Sequence, residues 1–278
     1  MIADVTNDQD ATFNGDSYVS GDYTNSGLTT INDGTLVIFG TLTNTGTING
    51  SVSAGAAAAE GTGDDFGLQV TGDLVLGAEA SLLMPSAQLT VRLEGDYDIA
   101  IDGSSNYDMA GAELRLIGLG DVAQTLENMS QDIGPDSAGL DRTLPGHYPI
   151  GTLRIGPTPS IVNIVDNHDN DGLGQVLGEA IYVENLVVEP GATLNTLGCS
   201  VYYVTAQING VVDDPANLIE LPAACPWDCG GDNDGSVGIV DFLGLLAQWG
   251  SPGSCDFDGG GVGISDFLEL LANWGACP

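Results

Sequence analysis

The residues of this chain that could do chemistry are carboxylates, and toward the C-terminus they recur in a set pattern. Asp232-Asn233-Asp234-Gly235 is followed by Asp241, and Asp256-Phe257-Asp258-Gly259-Gly260-Gly261 by Asp266. Alternate acids turn their oxygens to one side of a loop, glycine permits the sharp bend, and a last carboxylate closes the shell. Such a set suits a hard cation that takes oxygen ligands, calcium above all. Glycine turns with solvated acids would give the same letters. A further cluster, Asp166-Asn167-His168-Asp169-Asn170-Asp171-Gly172, offers Asp166, Asp169 and Asp171 as calcium ligands. An exposed acidic turn accounts for it as well, and His168 reads as a surface histidine.

The terminal acids are positioned by a duplication. Residues 238–250 return as 263–275, with Phe, Leu, Leu and Trp at i, i+3, i+4 and i+7 of each copy. That is one face of a helix. Phe242, Leu245, Leu246 and Trp249 are expected to pack on Phe267, Leu270, Leu271 and Trp274, with Gly250 and Gly275 as helix stops. Two acidic loops, each followed by such a helix, resemble a type I dockerin with EF-hand-like calcium loops. On that resemblance Asp232, Asp234 and Asp241 take the third, fifth and twelfth loop positions, and Ser236 lends its carbonyl. Gly230 departs from the acid usual at the first position, which leaves Asp228 or a water to compensate. The second loop is one residue short: Asp256, Asp258 and Asp266 match the first, third and twelfth positions, and Gly260 replaces an acid. Weaker calcium binding than in a full loop follows. The resemblance also implies partner contact through Ile239-Val240 and Ile264-Ser265. Because the module has no basic residue, the expected contact is apolar, with a partner other than a cohesin or with the chain's own body.

Cys225, Cys229, Cys255 and Cys277 crowd this region, with Cys199 upstream. No Cys-x-x-Cys pair occurs and both histidines lie far away, so disulfides in an oxidising compartment are expected rather than zinc. A helix of about 11 residues is roughly 16 Å long, which separates Cys255 from Cys277. Cys277 is therefore expected to pair with Cys225 or Cys229.

The preceding 220 residues read as short β-branched runs separated by turns. Thr29-Thr30-Ile31, Thr35-Leu36-Val37-Ile38, Gly40-Thr41-Leu42-Thr43 and Gly46-Thr47-Ile48 alternate with Asn32-Asp33-Gly34, Asn44-Thr45-Gly46 and Asn49-Gly50. The latter would supply positive-φ positions. The pattern predicts a mainly β fold: a parallel β-helix, or solenoid, of about nine to eleven coils at roughly 20–25 residues each. A β-sandwich is the alternative. Phrases such as GTLVIFGTLTNTGTING and LVVEPGATLNT resemble the β-helical regions of secreted bacterial surface proteins and adhesins. The predicted division is a rod over 1–222, a linker at 223–226 and the duplicated module over 227–278. Five prolines between residues 125 and 160 mark an expected excursion from the coil.

The formal net charge is −35, from 39 acids against four arginines and no lysine. Such a chain repels nucleic acid and anionic membranes, and no apolar run is long enough to span a bilayer. Met1 leads straight into acidic sequence, so export is expected through a leader already removed. The arginines Arg92, Arg115, Arg142 and Arg154 stand at scattered positions, and no catalytic motif is evident. The sequence therefore predicts a non-enzymatic, secreted, calcium-stabilised protein of the cell surface. Its expected partners are further copies of itself, stacked head to tail, or a cell-surface protein or glycan. A dockerin-anchored glycan-binding module and a polysaccharide-active β-helix enzyme are the alternatives.

Overall fold

The computed structural model describes residues 4–51, 66–118, 120, 122–157, 159–172, 178–221, 227–230 and 236–276. The chain divides into two compact units, residues 1–134 with 138–220, and residues 135–137 with 221–278.

The first unit is a parallel β-helix. One face is nine strands deep, running from Val5–Asn7 through Tyr23–Asn25, Leu42–Asn44, Leu74–Leu76, Tyr97–Ile99, Ala123–Glu127, Ile161–Val165 and Thr193–Asn195 to Val211–Val212. Two further faces begin at Asp10–Asn14 and Ser17–Val19 and merge in the long strand Tyr107–Leu116, which pairs with both. Ile150–Ile155, Glu179–Val188 and Ser200–Ile208 continue the merged face. Each strand pairs in parallel with its counterpart one coil on rather than with the next strand in sequence, which rules out the sandwich. Among the described residues of this unit, only Ser130–Gln131 against Glu179–Val188 is antiparallel.

The coils stack because alternate residues point inward and meet their counterparts one coil on. Leu36, Leu68, Val91, Leu114, Leu153 and Leu186 form one such column, each opposite the next and none more than 1 % exposed. Burial contributes about 1.5–3 kcal/mol per side chain of this size. Early coils are shorter than predicted: Val5 lies opposite Tyr23, 18 residues on, and Tyr23 opposite Leu42, 19 residues on.

At the corners polar side chains replace the ladder. Asp22 Oδ1 accepts the Thr41 N–H at 2.9 Å, Asp73 Oδ1 accepts that of Asp96 at 2.9 Å, and Asp96 Oδ1 accepts that of Thr125 at 2.6 Å. Asparagines stack likewise, from half-buried Asn7 to buried Asn25 and Asn44. Asn7 donates to Asn25 and Asn25 to Asn44, each at 2.7 Å.

The turn glycines serve a purpose the sequence reading did not assign them. Of the predicted turns, Asp33 has φ 48°, whereas Gly34 and Gly46 lie outside the left-handed region and Gly50 is inside the strand Thr47–Ser51. A Cβ on Gly46 would sit 2.1 Å from the Gly27 carbonyl oxygen, and one on Gly27 only 1.9 Å from that of Gln9. Glycine is needed there for close approach of successive backbones. The excursion is also narrower than predicted, because Ala123–Glu127 and Ile150–Ile155 are regular strands at either end of it.

In the second unit, helices α1 (Ile239–Ala247) and α2 (Ile264–Ala272) accompany a small antiparallel pair, Ser236–Val237 with Gly275–Ala276. No helix among the described residues is long and apolar enough to cross a membrane.

Gly46→Ala should destabilise the chain by about 1–3 kcal/mol, the range for overpacking. Gly77→Ala, whose Cβ would meet nothing nearer than 3.5 Å, should cost much less. Urea unfolding midpoints of the two variants make the comparison, and equal losses would refute the close-approach account.

Candidate metal centres

The duplicated unit is built around two equivalent carboxylates. Asp241 and Asp266 stand in the first turns of α1 and α2, each 1 % exposed. Asp241 Oδ2 accepts the N–H of Gly238, the residue capping α1, at 2.7 Å, and its Oδ1 accepts that of Gly230 at 2.9 Å. Asp266 repeats this with Gly263 at 2.8 Å and Phe257 at 2.7 Å. Each acid thus ties the start of its loop to the start of its helix. Burial opposes ionisation of Asp241, but the N–H groups of Gly238 and Gly230 and the side chain of Asp228 outweigh it and lower its pKa. The Gly263 N–H, with that of Phe257, lowers the pKa of Asp266 against the effect of burial.

The second loop brings its three predicted ligands together. One oxygen each from Asp256, Asp258 and Asp266 lies within 4.8 Å of the others, and Asp256 Oδ1 is buried with no hydrogen-bond partner among the described residues. Oxygens each about 2.4 Å from a calcium ion can be no farther apart than this, so the triad fits such a cation. In the first loop Asp232 and Asp234 lie outside the described residues. Ser236 is placed in the small strand pair opposite Ala276.

The predicted helix contact is only half realised. Phe242 and Phe267 meet with ring centroids 5.9 Å apart, and Leu245 and Leu270 are fully buried with Val237 and Val262. Leu246, Trp249, Leu271 and Trp274 instead remain 45–49 % exposed. Each nine-residue helix buries one Leu fully and one Phe in part. The residues expected to meet a partner are exposed: Ile239 at 60 %, Val240 at 40 % and Ile264 at 62 %, with Ser265 next to Ile264 on the first turn of α2.

Cys229 is bonded to Cys255, with Cα atoms 5.3 Å apart, so it is not available to Cys277. The duplication explains the pairing. Each cysteine stands just before an equivalent loop, and packing α1 against α2 brings the two loop starts together. Cys225 and Cys277 lie outside the described residues. Neither a family model, nor a curated protein, nor a solved structure matches the chain.

In the β-helix the loop after Ile161–Val165 carries Asp166, Asp169 and Asp171, and they do not form one triad. Asp169 and Asp171 group with Glu179, whereas Asp166 groups with Glu127 and Glu179; a third group joins Asp98, Glu127 and His168. Sequence reasoning missed both glutamates. Glu127 ends a strand after inward-facing Leu126, and Glu179 opens the apolar run Ala180–Val183. Acids at the buried ends of apolar strands were the available signal. Glu127 Oε1 accepts the N–H groups of Asn167 at 2.7 Å and His168 at 2.8 Å, while Glu179 Oε1 accepts those of Asn170 at 2.6 Å and Asp171 at 3.0 Å. The loop is strapped down at two points. Burial pushes the Glu127 carboxyl up to about 7 against those N–H groups, and that of Glu179 up to about 8 with help from the charges of Asp166 and Asp171. His168 is not a solitary surface histidine, because its Nε2 lies 2.6 Å from Asp98 Oδ1.

The arginines are not all scattered. Arg92, Arg115 and Arg154 stand in register on successive coils. Arg115 pairs with Glu113 at 2.6 Å, and Arg154 with Glu113 at 3.2 Å and Glu189 at 2.5 Å. Burial works against the charge on Arg154, but Glu113 and Glu189 outweigh it and raise its pKa, the opposite of what a base requires.

Asp241→Ala and Asp266→Ala should each destabilise the second unit by about 1–3 kcal/mol in chelator, because two part-buried N–H groups lose a charged acceptor. All three tryptophans of the chain lie in this unit, so tryptophan fluorescence during urea unfolding reports it. Asp258→Ala, whose carboxylate accepts from one exposed loop N–H, should shift the transition much less.

Proposed function

We propose that this chain is an exported, non-enzymatic surface protein, stabilised by calcium, that assembles or attaches through its duplicated helical unit. The observation that carries this reading is the pair of equivalent, exposed apolar helix starts, Ile239-Val240 and Ile264-Ser265. Each is fixed by a buried aspartate whose loop carries acids at calcium spacing. Contiguous apolar surface rimmed by polar residues marks a contact site, and Leu243 and Leu268, at 57 % and 59 % exposure, extend it. The duplication and the loop–helix order support likeness to a type I dockerin, and the apolar composition favours a partner other than a basic-residue-dependent cohesin contact. The β-helix, akin to those of bacterial adhesins, would be the displayed body, and further copies of the chain are the simplest partner. A disulfide suits an oxidising compartment, and the acidic surface keeps such a body hydrated.

Electron microscopy and light scattering of the full chain test this. Assemblies are expected in millimolar calcium and dispersal in chelator. Ile239→Asp with Ile264→Asp should abolish assembly in calcium while leaving the circular dichroism of the β-helix unchanged. Monomers under both conditions would sink the self-assembly reading.

A further inference from the structure

Beyond the terminal unit, the geometry points to a second, buried calcium site inside the β-helix, formed by Glu127, Asp166 and Glu179 with the side-chain oxygens of Asn128 and Asn170. Glu127, Asn128, Asn170 and Glu179 are 2 %, 0 %, 2 % and 7 % exposed. Glu127 Oε2, Asn128 Oδ1, Asn170 Oδ1 and Glu179 Oε2 are buried with no donor among the described residues. An acceptor buried without a donor is costly, and four in one neighbourhood call for a shared positive partner.

The arrangement differs from the terminal aspartates in a way that matters. Asp241 and Asp266 each use both oxygens, one per N–H. Glu127 and Glu179 each receive both N–H groups on Oε1, which leaves Oε2 bare.

The amide orientations are fixed from outside. Asn170 Nδ2 donates to the carbonyls of Ile99 at 3.0 Å and Ile101 at 2.8 Å, and Asn128 Nδ2 donates to the Glu179 carbonyl. Their oxygens cannot exchange places with their nitrogens without losing those bonds. One carboxylate oxygen each from Glu127, Asp166 and Glu179 lies within 4.8 Å of the other two, the span that a calcium ion bridges. The five donors named are oxygens, the set a hard cation takes, and the half-buried Cys199 thiol stands beside Asn128 at their edge. Magnesium retains several waters of its own, whereas four of the oxygens assembled here are buried from solvent.

The test is calcium content of the full chain, freed of metal and then equilibrated with calcium chloride alone. Glu127→Gln with Glu179→Gln, which keeps shape while removing charge, should bind one ion fewer than the parent and lose part of the calcium-induced rise in Tm. Asp166→Asn, at a half-buried position, should weaken the same ion by about tenfold through loss of one ligand charge, and keeps the test open should the double variant misfold. A variant with Asp256, Asp258 and Asp266 all changed to Asn should keep this ion, so its behaviour judges the terminal site separately. Unchanged calcium content and affinity in the glutamine and Asp166→Asn variants would overturn the proposal.

Discussion

Successive coils of a β-helix can stack at strand spacing only if no side chain intrudes between their backbones and no peptide group at a corner is left unpaired. Both demands are met residue by residue here. Gly27 and Gly46 admit the neighbouring backbone where any Cβ would collide. Asp22, Asp73 and Asp96 accept the N–H that a bend would otherwise strand. Asn7, Asn25 and Asn44 carry hydrogen bonding through the interior where strand pairing ends. The abundance of glycine and acid is in part the signature of this stacking.

The same carboxylate device then appears in both units for different ends. A carboxylate accepting two backbone N–H groups fixes a loop, whether at Asp241 and Asp266 or at Glu127 and Glu179. Where the two bonds fall on separate oxygens, the acid is chiefly a clamp, and ligation is a second task. Where they fall on one oxygen, the other faces inward with nothing to balance it. In a low-dielectric interior such a group either holds a proton or meets a cation.

Much of this was legible in the sequence, and the rest was hidden for identifiable reasons. The duplication announced α1 and α2, since residues 238–250 and 263–275 share a helical period. β-branched runs announced most strands, including Thr35–Ile38 and Leu42–Asn44. Glycine was misread, because a turn glycine and a close-approach glycine look alike until the neighbouring coil is known. Glu127 and Glu179 escaped notice because they meet only through stacking, on strands separated by the excursion. Helix length alone does not reveal the Cys229–Cys255 bond, which follows from the pseudo-symmetric pairing of the two loops. Leu246 and Trp249 have the right period for burial, yet two short helices cannot cover every apolar position, and period alone does not say which remain outside.

The bridge between Cys229 and Cys255 closes a covalent ring around the whole first repeat. Tension applied along the backbone would run from Cys229 across the sulfurs to Cys255, leaving the intervening segment unloaded. The first acidic loop and α1 would therefore be shielded from stretching, while α2 and its loop would lie in the line of force. Under tension the chain between Cys229 and Cys255 cannot be drawn out beyond the bridge, whereas the second repeat can be extended to its full length.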